Sequence, residues 1–401
     1  VEVGVKKFFN SFFSFIRTTD KLLLSLCLIA SGFGIIMVHS ATLSDIPDTQ
    51  SISRDSIIMM VAISIGLIIG LIASSIGYET IMKLWPFYAA LCLLLMISLF
   101  FFGVGPSNRP DARSWLNIAG VYFQPSELLK IGFMITFSLH LDSVKNRINE
   151  FKNIVLLCVH GAVPTMLVIA TGDLGSALVF VAILFGMLYI AGVKIRYFAG
   201  GFALLLAALP LLWIKFFSEF QKQRFLVIYF PNAVSESVYK TLIYQQQQSV
   251  NAIGSGQLSG SGLFKGVYTQ GNLIPVDESD MIFSVIGEEL GFIGSMAALL
   301  ILTLIIIKIV HIGRKSNNMS GSYFCNSMAL MIASQTIINV GMCLKLLPTI
   351  GIALPFFSAG GSSNLCIYLG IGIVLSVYRA GLETIPVNFR MSHIRTPFSN
   401  A

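Results

Sequence analysis

The polar residues able to do chemistry in this sequence fall into a few short stretches, each beside an apolar run. The most suggestive is Pro275-Val276-Asp277-Glu278-Ser279-Asp280, which leads directly into Met281-Ile282-Phe283-Ser284 and then Gly287-Glu288-Glu289-Leu290-Gly291. Three carboxylates stand where a polar segment enters an apolar helix. Two more follow about 12 Å further on, at a rise of about 1.5 Å per residue. A carboxylate at the edge of a cleft is suited to act as a general base. Asp277 and Glu278 fit a solvated loop, whereas Asp280, Glu288 and Glu289 have apolar neighbours that such a loop does not explain.

Four further stretches have similar character. In Gln124-Pro125-Ser126-Glu127-Leu128-Leu129-Lys130 the proline suits the first turn of a helix. Glu127 and Lys130 share a face at a spacing of three, so an ion pair would let both enter an apolar region. That pair serves either the helix start or the wall of a polar cavity. Gly172-Asp173-Leu174-Gly175-Ser176 is a tight turn in which Asp173 either caps the next helix or meets a ligand that the glycines allow to approach. Ile253-Gly254-Ser255-Gly256-Gln257-Leu258-Ser259-Gly260-Ser261-Gly262 could cradle phosphate with backbone N–H groups. It lacks the lysine of a P-loop and reads more simply as a flexible loop. Pro348 to Ser363 mixes prolines and glycines with apolar residues, a backbone that is tolerated in a membrane only when it lines a cavity or is buried in protein.

The elements that position these groups are dictated by composition. Of 401 residues, 55% are hydrophobic and only 11% charged. A soluble domain carries roughly 25% charged residues, so most of this surface must face lipid. A spanning helix needs about 20 apolar residues. Such runs occupy 21–42, 57–76, 83–103, 128–142, 153–171, 174–193, 197–214, 281–310, 322–346 and 363–380, with 281–290 able to pack at the membrane edge instead of spanning. The expected fold is an all-α polytopic membrane protein of about ten transmembrane helices. Its parts are an interfacial segment 1–20, a membrane domain 21–382 with a large loop at 215–280 between the seventh and eighth helices, and a tail 383–401. The phenylalanines at 8, 9, 12, 13 and 15 resemble a short helix lying in the membrane interface.

Lys and Arg concentrate on the short loops of one side, which places that side and both termini in the cytoplasm. The acidic stretches then face outward. The net charge of +7 is accounted for by these loops, and nothing resembles a nucleic-acid-binding signature. The six cysteines lie in apolar runs without C-x-x-C pairing, and the five histidines have no metal-ligand spacing.

Taken in order, these stretches resemble the SEDS family, which includes RodA and FtsW, over nearly the whole chain. The resemblance is carried by Ala112-Arg113-Ser114-Trp115, by Gln124-Pro125-Ser126-Glu127 with Lys130, and by Asp173-Leu174-Gly175-Ser176-Ala177. It continues through Gln248-Ser249, Ala252-Ile253-Gly254-Ser255-Gly256, Asp280-Met281-Ile282-Phe283 and Gly287-Glu288-Glu289-Leu290-Gly291. It ends on Leu354-Pro355-Phe356 with Gly360-Gly361-Ser362-Ser363. Thr171-Gly172, Glu278-Ser279 and Ala359 depart from the family's usual Gln-Pro, His-Thr and aromatic residue, and Asp280 is retained.

The resemblance implies a peptidoglycan glycosyltransferase in the cell membrane, with its active site on the outer face. It would polymerise lipid II by inverting transfer from a glycan held on undecaprenyl pyrophosphate. Asp280 would be the catalytic base. The implied substrate-binding residues are Arg113, at the pyrophosphate, with Glu127, Lys130, Asp173, Gln248, Ser249, Gly254, Ser255, Gly256, Glu288, Glu289, Ser362 and Ser363. The implied partner is a class B penicillin-binding protein. A divalent cation, Mg or Mn, bridging carboxylate and pyrophosphate is the one cofactor the resemblance suggests, and no ligand set is evident for it. A lipid-linked-sugar flippase and a non-catalytic scaffold for the transpeptidase are the alternative readings.

Overall fold

The computed structural model describes residues 19–45, 52–105, 112–118, 120–215 and 218–383. The aromatic segment at 8–16 and the tail beyond 383 lie outside the described residues. Each of the ten apolar runs forms a helix: α1 (Lys21–Ala41), α2 (Arg54–Ser75), α3 (Trp85–Phe102), α4 (Pro125–Val144), α5 (Phe151–Ala170), α6 (Leu174–Ile190) and α7 (Ile195–Lys215). After the long connection, which itself holds α8 (Glu219–Tyr229) and α9 (Glu236–Gly256), come α10 (Ile282–Arg314), α11 (Met319–Cys343) and α12 (Gly361–Glu383).

By length and composition alone α1, α2, α3, α5, α10 and α12 could each cross a membrane. Their outer faces carry bare apolar side chains such as Ile68, Leu94 and Phe101, a surface that suits lipid and not water. The chain is a multi-pass membrane protein. The enclosed helices are the more polar ones: α4 buries Glu127 and Lys130, and α11 buries Gln335 and Asn339. Burying such groups is tolerated where they face the bundle interior.

Polar contacts tie α1 to α10 and α12. Asp20 accepts from Leu23 N at 3.0 Å, capping α1, and its other oxygen pairs with Lys308 of α10 at 2.8 Å. Tyr368 of α12 is hydrogen-bonded through its hydroxyl to Ser31 at 2.7 Å and donates to Cys27 O at 3.2 Å. Inside the membrane such bonds satisfy groups that water cannot reach.

The connection 215–280 is not a flexible loop. Ser218 and Gln221 form a capping box that starts α8, and Ser235 caps α9. α9 then turns its buried residues Ile243, Gln246, Ser249, Ala252 and Gly256 toward the bundle, a helical period made partly of small and polar residues. Gln246 Nε2 donates to Met342 O at 2.9 Å and Leu347 O at 2.7 Å, tying α9 to the end of α11.

The first two turns of α10 are a separate piece. Gly291 sits at φ 65° and ψ −160°, so the helix breaks there, and an L residue would be strained at that position. This agrees with the expectation that 281–290 packs apart from the span that follows. Before α4 a small antiparallel sheet, β1 (Gly103–Val104), β2 (Trp115–Ile118) and β3 (Val121–Phe123), folds over the same end of the bundle.

Candidate active site

A cavity of about 310 Å³ opens at that end of the bundle. It lies among the starts of α4, α6 and α10, the segment that precedes α12, and Gln335 of α11. Five carboxylates line it: Asp55, Glu127, Asp173, Glu278 and Asp280. Ser114, Trp115, Gln124, Ser176, Ser279, Gln335 and Ser363 complete its polar wall. Among the described residues that line it there is no lysine or arginine.

Asp280 is delivered by a tightly held turn. Met281 N donates to Val276 O at 3.2 Å, and Val276 itself lies at φ 60°. Three successive carbonyls of the turn are pinned from outside it. Glu278 O accepts from Ala359 N at 2.8 Å, Ser279 O from Ser358 Oγ at 2.6 Å, and Asp280 O from Asn339 Nδ2 at 2.8 Å. Asn339 also donates to Ile352 O at 2.8 Å. The turn is therefore locked to α11 and to the irregular 350–363 segment at once. Such locking gives a catalytic group its precision. Asp277, just before it, is buried at 6% exposure.

Asp173 caps α6 and also lines the cavity. Its Oδ1 accepts from Ser176 N at 2.9 Å and caps α6, and its Oδ2 accepts from Gln124 Nε2 at 2.7 Å and Ser126 Oγ at 3.2 Å. Gln124 N in turn donates to Ser362 Oγ at 2.9 Å. Glu127 faces the cavity while Lys130, fully buried, donates to Glu127 Oε1 at 2.7 Å from behind. The pair keeps a carboxylate in a dry wall, which an isolated charge could not do.

Other sequence-derived candidates are placed elsewhere. Glu288 and Glu289 do not reach the cavity. Glu288 Oε1 accepts from Tyr268 N at 2.7 Å, and its Oε2 from Thr269 N at 2.9 Å and Thr269 Oγ1 at 2.7 Å. Glu289 accepts from Ser40 Oγ at 2.7 Å, Phe264 N at 3.1 Å and Gln270 Nε2 at 3.2 Å. Both carboxylates are thus occupied in folding residues 261–270 against the bundle. Their apolar surroundings, read from sequence as those of a site, belong to this anchor.

The glycine-serine stretch is similarly consumed. Gly254, Ser255 and Gly256 end α9, and a Cβ on Gly256 would lie 1.9 Å from Gly287 O. The N–H groups of Ser261 and Gly262 donate to Glu288 O at 2.9 Å and Glu289 O at 3.0 Å, so they are not turned toward a phosphate. Ser249 is buried, donating to Cys343 O at 2.7 Å and bonded to the Ser284 hydroxyl. Gln248 pairs with Asn251 on the same helix. Arg113 stands at the rim. Its N–H donates to Thr171 O at 2.9 Å and its Nη1 to Phe100 O at 3.2 Å, beside the bare rings of Phe101 and Phe102.

Gln335 was not legible as a site residue. It is 2% exposed, it lines the cavity, and its Oε1 is buried without a hydrogen-bond partner. An unpartnered buried amide oxygen costs free energy, and a hydroxyl that reached it from the cavity would satisfy it. A polar residue in the middle of an apolar run was the only available signal.

Residues 20–381 match the cell cycle protein family FtsW/RodA/SpoVE. The chain belongs to that family. It is 30% identical over 318 residues to the peptidoglycan glycosyltransferase MrdB of Escherichia coli, covering 79% of this chain and 83% of that one. It is 29% identical over 372 residues to a probable peptidoglycan glycosyltransferase FtsW of Geobacter metallireducens, covering 90% and 95%. In fold it matches a chain solved in a peptidoglycan synthase complex, whose structure concerned coordination of polymerization and crosslinking, with TM-score 0.76 and 25% identity over 90% of this chain and 98% of that one. It also matches the rod shape determining protein RodA of Thermus thermophilus, with TM-score 0.65 and 24% identity over 90% and 97%. The expected SEDS fold is the one observed.

Proposed function

We propose that this family member is a peptidoglycan glycosyltransferase that polymerises lipid II, with Asp280 as the general base. The observation that carries the reading is the turn 276–281, which is pinned at three carbonyls and presents Asp280 to a polar cavity at the edge of an otherwise apolar bundle. The names of the relatives support the reaction class.

In the proposed step the acceptor sugar 4-hydroxyl of a lipid II enters the cavity. Asp280 takes its proton as the oxygen bonds to the anomeric carbon of the donor glycan. The bond from that carbon to the pyrophosphate breaks with its electron pair, and the α linkage becomes β. Carboxylates and amides accept and donate hydrogen bonds to sugar hydroxyls, so Asp173, Gln124, Glu127 and Gln335 suit the sugar. The five carboxylates that line the cavity among the described residues repel pyrophosphate. That group is better placed at the rim, where Arg113 stands next to the lipid-facing rings of Phe101 and Phe102. Charge developing on the leaving oxygen would be stabilised there.

No three His, Cys, Asp or Glu side chains are gathered as a metal site among the described residues. The proposed setting is the outer face of the cell membrane, with both termini in the cytoplasm and a class B penicillin-binding protein as partner. Purified protein in vesicles should convert fluorescent lipid II into glycan ladders. Movement of labelled lipid II across the bilayer without ladders would favour a flippase, and neither activity from folded protein would favour a scaffold.

A further inference from the structure

We propose that Asp277 is a positioning residue for the transfer: buried beside the cavity and adjacent to Glu278, it stands as a neutral acid and so steadies the turn that presents Asp280. The proposal rests on the reading of Asp280 as the base.

The argument begins with burial. Asp277 is 6% exposed, and its Oδ2 is buried without a hydrogen-bond partner. A carboxylate in that position would be far more costly than a neutral acid. Burial, and then the charge of the neighbouring Glu278 carboxylate, push the Asp277 carboxyl up to about 8. Asp55, Glu127 with Lys130, Asp173 and Asp280 line the same cavity or stand behind it, and Lys345 precedes the 348–363 segment. Among these charged groups it is Glu278 that acts on Asp277.

Glu278 lines the cavity next to Asp280. Ionising Asp277 would set two adjacent carboxylates against each other on a turn with little freedom. Its carbonyls at 278, 279 and 280 are pinned, and Val276 already sits at φ 60°. The repulsion would have to move the Glu278 side chain toward Asp280 or distort the turn, and either displaces the base.

The test is the pH profile of lipid II polymerisation from about pH 6 to about pH 9.5, with thermal unfolding followed over a wider range, for wild type, Asp277→Asn, Asp277→Ala, Glu278→Gln and Asp280→Asn. Wild type should lose activity above about pH 8 with the slope of one proton. Asp277→Ala should lower the rate about tenfold, and Asp277→Asn, which keeps a neutral polar side chain, should recover most of it and lack the alkaline limb. Glu278→Gln should move that limb to lower pH by removing the neighbouring charge. Thermal unfolding gives a readout independent of activity. The folded Asp277 keeps its proton above the unfolded value of about 4, so stability should fall as pH rises from about 4 to about 8 and then level. Asp277→Asn should lack that fall. An alkaline limb unchanged in Asp277→Asn, or the same unfolding slope in both proteins, would overturn the proposal. Asp280→Asn should be inactive at every pH with the wild-type unfolding slope. If it polymerises at the wild-type rate, the base assignment fails, whatever Asp277 does.

Discussion

Replacing Glu288 by glutamine should weaken the fold and spare the chemistry. The carboxylate takes three hydrogen bonds, one on Oε1 from Tyr268 N and two on Oε2 from the N–H and hydroxyl of Thr269. Bonds to a charged acceptor contribute about 1.5–3 kcal/mol each. Glutamine keeps one acceptor oxygen and sets an NH2 donor against an N–H donor at the other position. With the oxygen turned to Thr269, the bond from Tyr268 is lost and two donors are opposed, a cost of about 2–4 kcal/mol. Thermal unfolding in detergent should show a midpoint lowered by several degrees. Polymerisation per folded molecule, measured well below that midpoint, should stay within about twofold of wild type. An unchanged midpoint with glycan synthesis abolished would mean that Glu288 meets substrate, and the anchoring role would be wrong.

Other outcomes follow from the same geometry. Lys130→Met leaves the Glu127 carboxylate uncompensated and should cost about 3–5 kcal/mol, most of it recovered in Glu127→Gln/Lys130→Met, as a double-mutant cycle in unfolding free energy would show. Gly256→Ala places a Cβ 1.9 Å from Gly287 O. Backbone must move, so a loss of about 3 kcal/mol is expected, read as a lower unfolding midpoint and a lower yield of folded protein. Gln335→Leu removes an amide from the cavity wall and should raise the KM for lipid II about tenfold with little change in the unfolding midpoint. An unchanged KM would remove Gln335 from the site.

The membrane fold was legible because burial in lipid leaves a coarse signal. Each run of about 20 apolar residues became a helix, and the Gly291 break fell where the sequence already separated 281–290 from the span after it. The apolar run 128–142 begins three residues inside α4, whose first turn Pro125 marks, and Glu127 enters that helix only as half of an ion pair with Lys130. The helices α8 and α9 were hidden for a related reason. α9 buries Gln246, Ser249 and Gly256 beside Ile243 and Ala252, a pattern that hydropathy scores as polar although its spacing is helical. At the site, Glu127, Asp173, Asp280 and Ser363 line one cavity as their positions at helix ends suggested. The roles of Glu288 and Glu289 could not be read in advance. A buried carboxylate serves equally as a base or as an acceptor for backbone N–H groups, and only the return of residues 261–270 across it decides which. Gln335 was missed because nothing in a single apolar run marks which face of the helix meets the cavity.

The central claim is that the Asp280 carboxylate, on the 276–281 turn, is the base of the transfer. It is tested most directly by incubating fluorescent lipid II with purified wild-type protein and with Asp280→Asn, both shown to be folded by unfolding midpoint. The account predicts glycan ladders from wild type and none from Asp280→Asn at equal midpoints. Ladders of equal length and rate from both would contradict it.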